Sequence, residues 1–235
     1  MASLWKILLK SMPALKGDSC SSTPRFCSSC TALKRSLSLK VQCVTSDMGP
    51  VNTNLWKHVG ILSTQHSVVP SIPHPVQSDR CLYFVADPQR LLKNLWNCAL
   101  VHQITITEET VSRYQLPVNL VNHVNVQQLI DLQQSNDLRV AHKLHSSHVR
   151  PSHYEQMRVH LAAQFFSRST AAALETAVRL NLLPVEALTT ACFLAFVNDW
   201  FDAVNARHKD QALLHNTQST ATDSLKMMLE VIKDL

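Results

Sequence analysis

The chain has 235 residues, 46% of them apolar, 17% charged and only three Gly, a profile of a helix-rich globular protein that excludes a disordered one. Its net charge of +5 is uneven: residues 1–46 hold seven Lys/Arg against Asp18 alone, while the rest holds 15 basic and 16 acidic residues. Without clustered cations in the body, DNA binding by this chain alone is not expected, and no apolar run approaches the roughly 20 residues of a membrane span.

Residues 1–40 are Ser/Lys/Cys-rich, with a short apolar patch "LWKILLK". They imitate a targeting peptide but lack its hydrophobic region and a convincing cleavage site, so a disordered leader or a gene-model artefact is expected. Cys27 and Cys30 form a C-x-x-C without a second pair at finger spacing, which reads as a Ser/Cys-rich loop rather than a zinc site. "LKVQCVTS" (39–46) predicts a strand ending at Asp47, broken by Met48-Gly49-Pro50. Asn54 is a candidate cap for a short helix through Trp56 and Val59 that Gly60 ends. The Pro/His/Ser-rich segment from Gln65 to Ser78 reads as a surface loop. The apolar run "CLYFVA" (81–86) predicts a central strand covered on both faces. Cys43, Cys81 and Cys98 sit in apolar runs and read as buried thiols of a reducing compartment. Asp87-Pro88 then supplies cap and first position of a helix through Leu91, Leu92, Leu95 and Ala99.

Beyond about residue 107 the pattern becomes helical throughout. Val126–Gln134 is a short helix candidate. Ser152 and Glu155 form a capping box predicting a helix through Leu161, Phe165 and Leu174 to Leu180. Pro184 opens another, with Ala187, Ala191, Leu194, Val197, Phe201 and Val204 on one face. Leu225, Met228, Leu229 and Ile232 continue the pattern into the last residues, as in a truncated domain. The expected fold class is α/β plus all-α: a leader (1–40), a partial α/β layer (41–106) and a helical domain (107–235).

Three blocks in order resemble the P-element-type transposase family, whose vertebrate relatives carry a zinc-binding THAP domain. "VTSDMGPVNTNLWKHVGI" (44–61) is similar to a D-x-G-x-x-N-x-x-L-W block, and "ADPQRLLKNLWNCAL" (86–100) to a D-P-P-H-L-L-K-N-x-R-N block. "LRVAHKLHSSHVRPSHYEQMRVHLAAQFFSRSTAAAL" and "FVNDWFDAVNAR" look like the family's GTP-binding insertion domain. The resemblance spans about residues 40–210. It implies a partial RNase H-like sheet layer followed by that helical insertion domain.

In such a fold, acids at strand ends hold two Mg²⁺ ions, and Asp87 stands where the second catalytic acid falls. The first acid belongs to an earlier strand and the last lies beyond the insertion domain. Arg90 and Trp96 replace a His and an Arg of the second block, and the THAP domain is missing. The resemblance therefore implies a transposase-derived fragment, inactive alone, with Asp87 a remnant that also caps its helix. The alternative is a strand-transferase subunit completed in trans by a full-length transposase, or self-associated. A nuclear location is implied by the family only.

Four residues match its GTP-contacting positions: Lys143 as the supporting lysine, Val159 as a base-packing residue, and Asp202 with Asn205 as the guanine-contacting pair. Arg158 stands where a relative has an acid. A carboxylate can accept two parallel hydrogen bonds from guanine N1 and N2, and a carboxylate built for that task should be partly buried with an oxygen free. Lys143, Asp202 and Asn205 should then face one cavity. No G-x-x-x-x-G-K-[ST] loop is present, so GTP would organise the protein without implied hydrolysis. The bland alternatives are a solvated Lys143 and an ordinary exposed Asp202/Asn205 pair. His142, His145, His148 and His153 lack the Cys or carboxylate partners that would make them a metal centre.

Overall fold

A computed structural model of the chain describes residues 41–63, 68–75, 77–135, 140–205 and 228. The leader, Cys27 and Cys30, and Leu225, Leu229 and Ile232 lie outside the described residues. Two compact units part between Arg90 and Leu91, whereas the sequence changes character near 107.

The first unit opens with strand β1 (Cys43–Ser46) and helix α1 (Pro50–His58). Pro50 occupies the first helical turn, where its missing N–H costs nothing, so the helix begins before Asn54 and Gly49 is its cap residue. Asp47 ties down the entry: its Oδ1 accepts from Gly49 N at 3.1 Å and from Asn52 Nδ2 at 2.6 Å. Gly60 ends the helix as expected. With φ at 88°, it lets its N–H reach the Lys57 carbonyl and Ile61 N–H reach that of Trp56, at 3.2 and 2.8 Å.

Four further strands follow: β2 (Leu62–Ser63), β3 (Val68–Val69), β4 (Ser71–His74) and β5 (Gln77–Ala86). The three-stranded sheet has the order β1-β5-β4, with β1 parallel and β4 antiparallel to β5. The Pro-rich segment predicted as loop thus supplies strands. Pro73 is accommodated because β4 lies at the sheet edge, where one row of amides has no partner strand to lose. One face of β5 buries Leu82 and Phe84 with Ile61, against Trp56, Val44 and Ile72. The Trp56 and Phe84 rings meet edge-on at 5.9 Å.

The other face corrects the expectation of two-sided cover. Tyr83 is 51% and Val85 45% exposed, and Cys43 and Cys81 are exposed rather than buried thiols. Alternation along β5 puts Cys81, Tyr83 and Val85 opposite Leu82 and Phe84, and Cys43 of β1 is in register with Tyr83. Cys98, on the helix, is buried as expected.

Helix α2 (Pro88–Val101) leads into the second unit, which holds α3 (Glu108–Tyr114), α4 (Val124–Ser135), α5 (Val159–Phe165), α6 (Arg168–Arg179) and α7 (Ala187–Val204). It is not wholly helical: β6 (Ile104–Thr105) and β7 (Leu120–Val121) form a short antiparallel ladder. The helix predicted from 152 to 180 is three pieces. The Ser152/Glu155 box forms, with Ser152 N donating to Glu155 Oε2 at 2.8 Å, but it leads only into a 3-10 turn at Glu155–Met157. A second break follows Phe165. Phe166 is the C-cap of α5, and Ser167 recaps the chain by accepting from Thr170 N at 3.2 Å.

Polar threads fix these pieces to one another. Trp96 donates its indole N–H to the His148 carbonyl at 3.0 Å, Thr189 its hydroxyl to Val118 O at 2.8 Å, and Asn125 its amide to Thr190 Oγ1 at 2.9 Å. Buried donors paired in this way avoid the desolvation penalty of an orphaned group.

Candidate functional site

Helix α7 carries the acidic half of the expected nucleotide site. Its apolar face buries Ala187, Ala191, Leu194 and Val197 as predicted, whereas Phe201 and Val204 are only half-buried and Ala203 is the buried residue of the last turn. Asp202 is exposed, not partly buried, and Asn198 Nδ2 donates to its Oδ2 at 2.8 Å. Asn205 is half-buried at the C-cap, donating its N–H to Phe201 O at 2.9 Å. Spacing of three brings Asp202 and Asn205 to one side of the terminal turn.

The same face extends back to α6. Asp199 receives Arg168 in a two-pronged ion pair, Nε to Oδ1 at 2.9 Å and Nη2 to Oδ2. Arg168 stands there because Ser167 caps α6 immediately before it.

Lys143 is exposed in the turn at 140–143, and Val159 is the half-buried first residue of α5. Between them lies the 3-10 turn Ser146–His148, whose His148 is fully buried. Its Nδ1 accepts from His145 N at 3.1 Å and its Nε2 lies 3.0 Å from Gln164 Oε1 on α5. A neutral ring with its proton on Nε2 satisfies both bonds. Burial holds the imidazole below its ordinary value of 6.5, against a smaller upward pull from Gln164 and His145. His148 therefore joins the turn after Lys143 to the helix that starts at Val159. In the sequence it is one of four histidines, and its burial has no local sequence signal.

Among the described residues no hydrogen bond links Lys143 to Asp202 or Asn205. A cavity of about 430 Å³ opens between α4 and the α6–α7 connection, lined by Gln128, Asp131, Leu132, Leu182, Leu183 and Pro184, and none of the four expected residues lines it.

In the first unit Asp47 and Asp87 follow neighbouring parallel strands, whose register pairs Ser46 with Ala86. Asp87 caps α2, its Oδ1 accepting from Gln89 N at 3.2 Å. Hydrogen bonds from Gly49 and then Asn52 hold the Asp47 carboxyl below the usual carboxylate range, and the Arg90 charge adds to them. A Mg²⁺ ion needs six oxygens in near-octahedral array. Local donors occupy Oδ1 of each carboxylate, and among the described residues no third acid joins the pair to complete a two-ion centre. Among the described residues no group of three His, Cys, Asp or Glu side chains is placed to hold a metal.

A family model described as "TNP-like, GTP-binding insertion domain" matches residues 99–217, about half of the chain. The chain belongs to this P-element transposase-like family. The matched residues include helices α3 to α7 of the second unit. A curated relative, the transposable element P transposase of Drosophila melanogaster, is 25% identical over 167 residues, covering 71% of this chain and 20% of the relative. The solved Drosophila P element transposase strand transfer complex matches with a TM-score of 0.73 and 22% identity, over 88% of this chain and 45% of that one. At that identity the match shows a shared mixed α/β fold. The chain spans a fifth of the curated relative's length and under half of the solved chain.

Proposed function

We propose that the helical unit binds GTP through the last turn of α7, with Asp202 accepting from guanine N1 and N2 and Asn205 beside it. The observation that carries this reading is the exposed Asp202 beside the half-buried Asn205 at the end of α7, within a matched GTP-binding insertion domain. Val159 packs on the base and Lys143 supports the nucleotide. The exposed state of Asp202 gives a carboxylate that is pre-oriented by Asn198 and desolvated when the base arrives. GTP is an organising ligand here, and hydrolysis is no part of the proposal.

The test is calorimetric titration of the full chain with GTP and ATP. Asp202→Ala removes two charge-assisted bonds and is expected to weaken GTP binding by about 2 kcal/mol, roughly thirtyfold. ATP should bind far more weakly, because adenine N1 is an acceptor where guanine offers a donor. Equal affinity for the two nucleotides, or a variant indistinguishable from wild type, would remove guanine recognition from this site.

The sheet layer is proposed as part of an RNase H-like domain (41–106) preceding the insertion domain (107–235), with Asp87 a remnant of its second acid. The chain alone is proposed to be catalytically inactive and to support DNA transposition only by lineage. In the second reading, completion in trans by a full-length transposase, the motivating observation is the fold match to a transposase strand transfer complex. Co-purification with a full-length homologue from cells would favour that reading. A nuclear location follows from the same resemblance.

A further inference from the structure

Three side chains on α7 and one on α6 form a continuous polar run that ends at the carboxylate proposed to read guanine. Arg168 grips Asp199 with both prongs of its guanidinium. Asn198 Nδ2 lies 3.5 Å from Asp199 Oδ1 but only 2.8 Å from Asp202 Oδ2. Both neighbours of this carboxamide are carboxylates, so it must present its N–H₂ end to them.

We infer that Asn198 is a positioning residue for Asp202, setting the plane of that carboxylate so that guanine N1 and N2 can be read together. This rests on the GTP reading of the α7 terminus and goes beyond it by naming what orients the reading group. The role of Arg168 follows from charge. Asp199 and Asp202 are three apart on one helix, where like charges repel, and Asp199 would otherwise compete for the Asn198 amide. The two-pronged ion pair occupies Asp199 and leaves the short bond of Asn198 to Asp202. A carboxylate oxygen has room for a second donor, so the Asn198 bond does not block the base.

Two parallel bonds demand a fixed carboxylate plane, and a single bond does not. Inosine triphosphate, which lacks the guanine 2-amino group, therefore separates positioning from general damage. In the full chain, Asn198→Ala is expected to weaken GTP about tenfold while leaving inosine triphosphate within twofold, so that the preference between them collapses. Asn198→Gln keeps an amide donor and should stay within threefold of wild type. The protein itself shows that geometry, since Gln127 Nε2 donates to Asp131 Oδ1 four residues on at 2.8 Å.

Titration calorimetry of wild type, Asp202→Ala, Asn198→Ala and Asn198→Gln with both nucleotides decides the matter. If Asp202→Ala loses GTP while Asn198→Ala binds as wild type, or loses both nucleotides equally, the positioning role is overturned and the GTP reading stands. If Asp202→Ala itself binds GTP as wild type, both fall.

Discussion

His148 shows how one buried side chain shapes the pH response of the helical unit. In the folded state burial disfavours the imidazolium, while the unfolded chain leaves the ring in water. Below the ordinary histidine value of 6.5 the unfolded state then binds more protons than the folded one, and stability falls with falling pH until the folded ring also protonates. Above that value the contribution is complete. The slope this one group adds is at most about 1.4 kcal/mol per pH unit. Thermal unfolding followed by circular dichroism should show a midpoint that drops between pH 7 and 5, with a shallower drop in His148→Gln. Identical slopes in the two proteins would assign the acid sensitivity elsewhere. The nucleotide-contacting candidates were legible as residues only through the family's motifs. That Asp202 is exposed and bonded to Asn198 was not legible, because nothing in the local pattern says which neighbour a carboxylate meets.

At the scale of elements, the turns carry testable conformational demands. Gly60 sits at φ +88°, and a Cβ placed there would meet nothing within 4 Å. Its requirement is therefore backbone conformation alone, and Gly60→Ala should cost about 1 kcal/mol in urea unfolding, from the left-handed geometry that an L side chain resists. A neutral substitution would show that the turn relaxes to another form. The start of α2 at Asp87-Pro88 and the apolar face of α7 were readable because each depends on near neighbours in sequence. The division of residues 152–180 into a 3-10 turn, α5 and α6 was not. Periodicity runs smoothly through that stretch, and the second break comes where Ser167 caps a new helix after the α5 C-cap at Phe166.

For the molecule as a whole, the sheet unit places two acids after parallel strands, and among the described residues no third acid joins them. The full chain should show no nicking or strand transfer of a transposon-end duplex with Mg²⁺ or Mn²⁺. Gel assays that found Asp87-dependent cleavage would overturn the assignment of Asp87 as a remnant. The exposed Tyr83 and Val85 side of β5 belongs to the same scale, since whether a strand is covered on one face or two depends on what the rest of the fold brings against it.

The sequence by itself determined the family, the two strands followed by Asp47 and Asp87, and the helix that carries Asp202. These rest on ordered motifs, on short apolar runs and on caps within a few residues of what they cap. Only the tertiary structure decided that the Pro-rich segment makes an edge strand, that Cys43 and Cys81 face outward, and that His148 is buried between a turn and α5. The Arg168–Asp199 grip joining two helices is of the same kind. Each depends on partners distant in sequence, and packing and hydrogen-bond satisfaction select such partners only when the chain has folded.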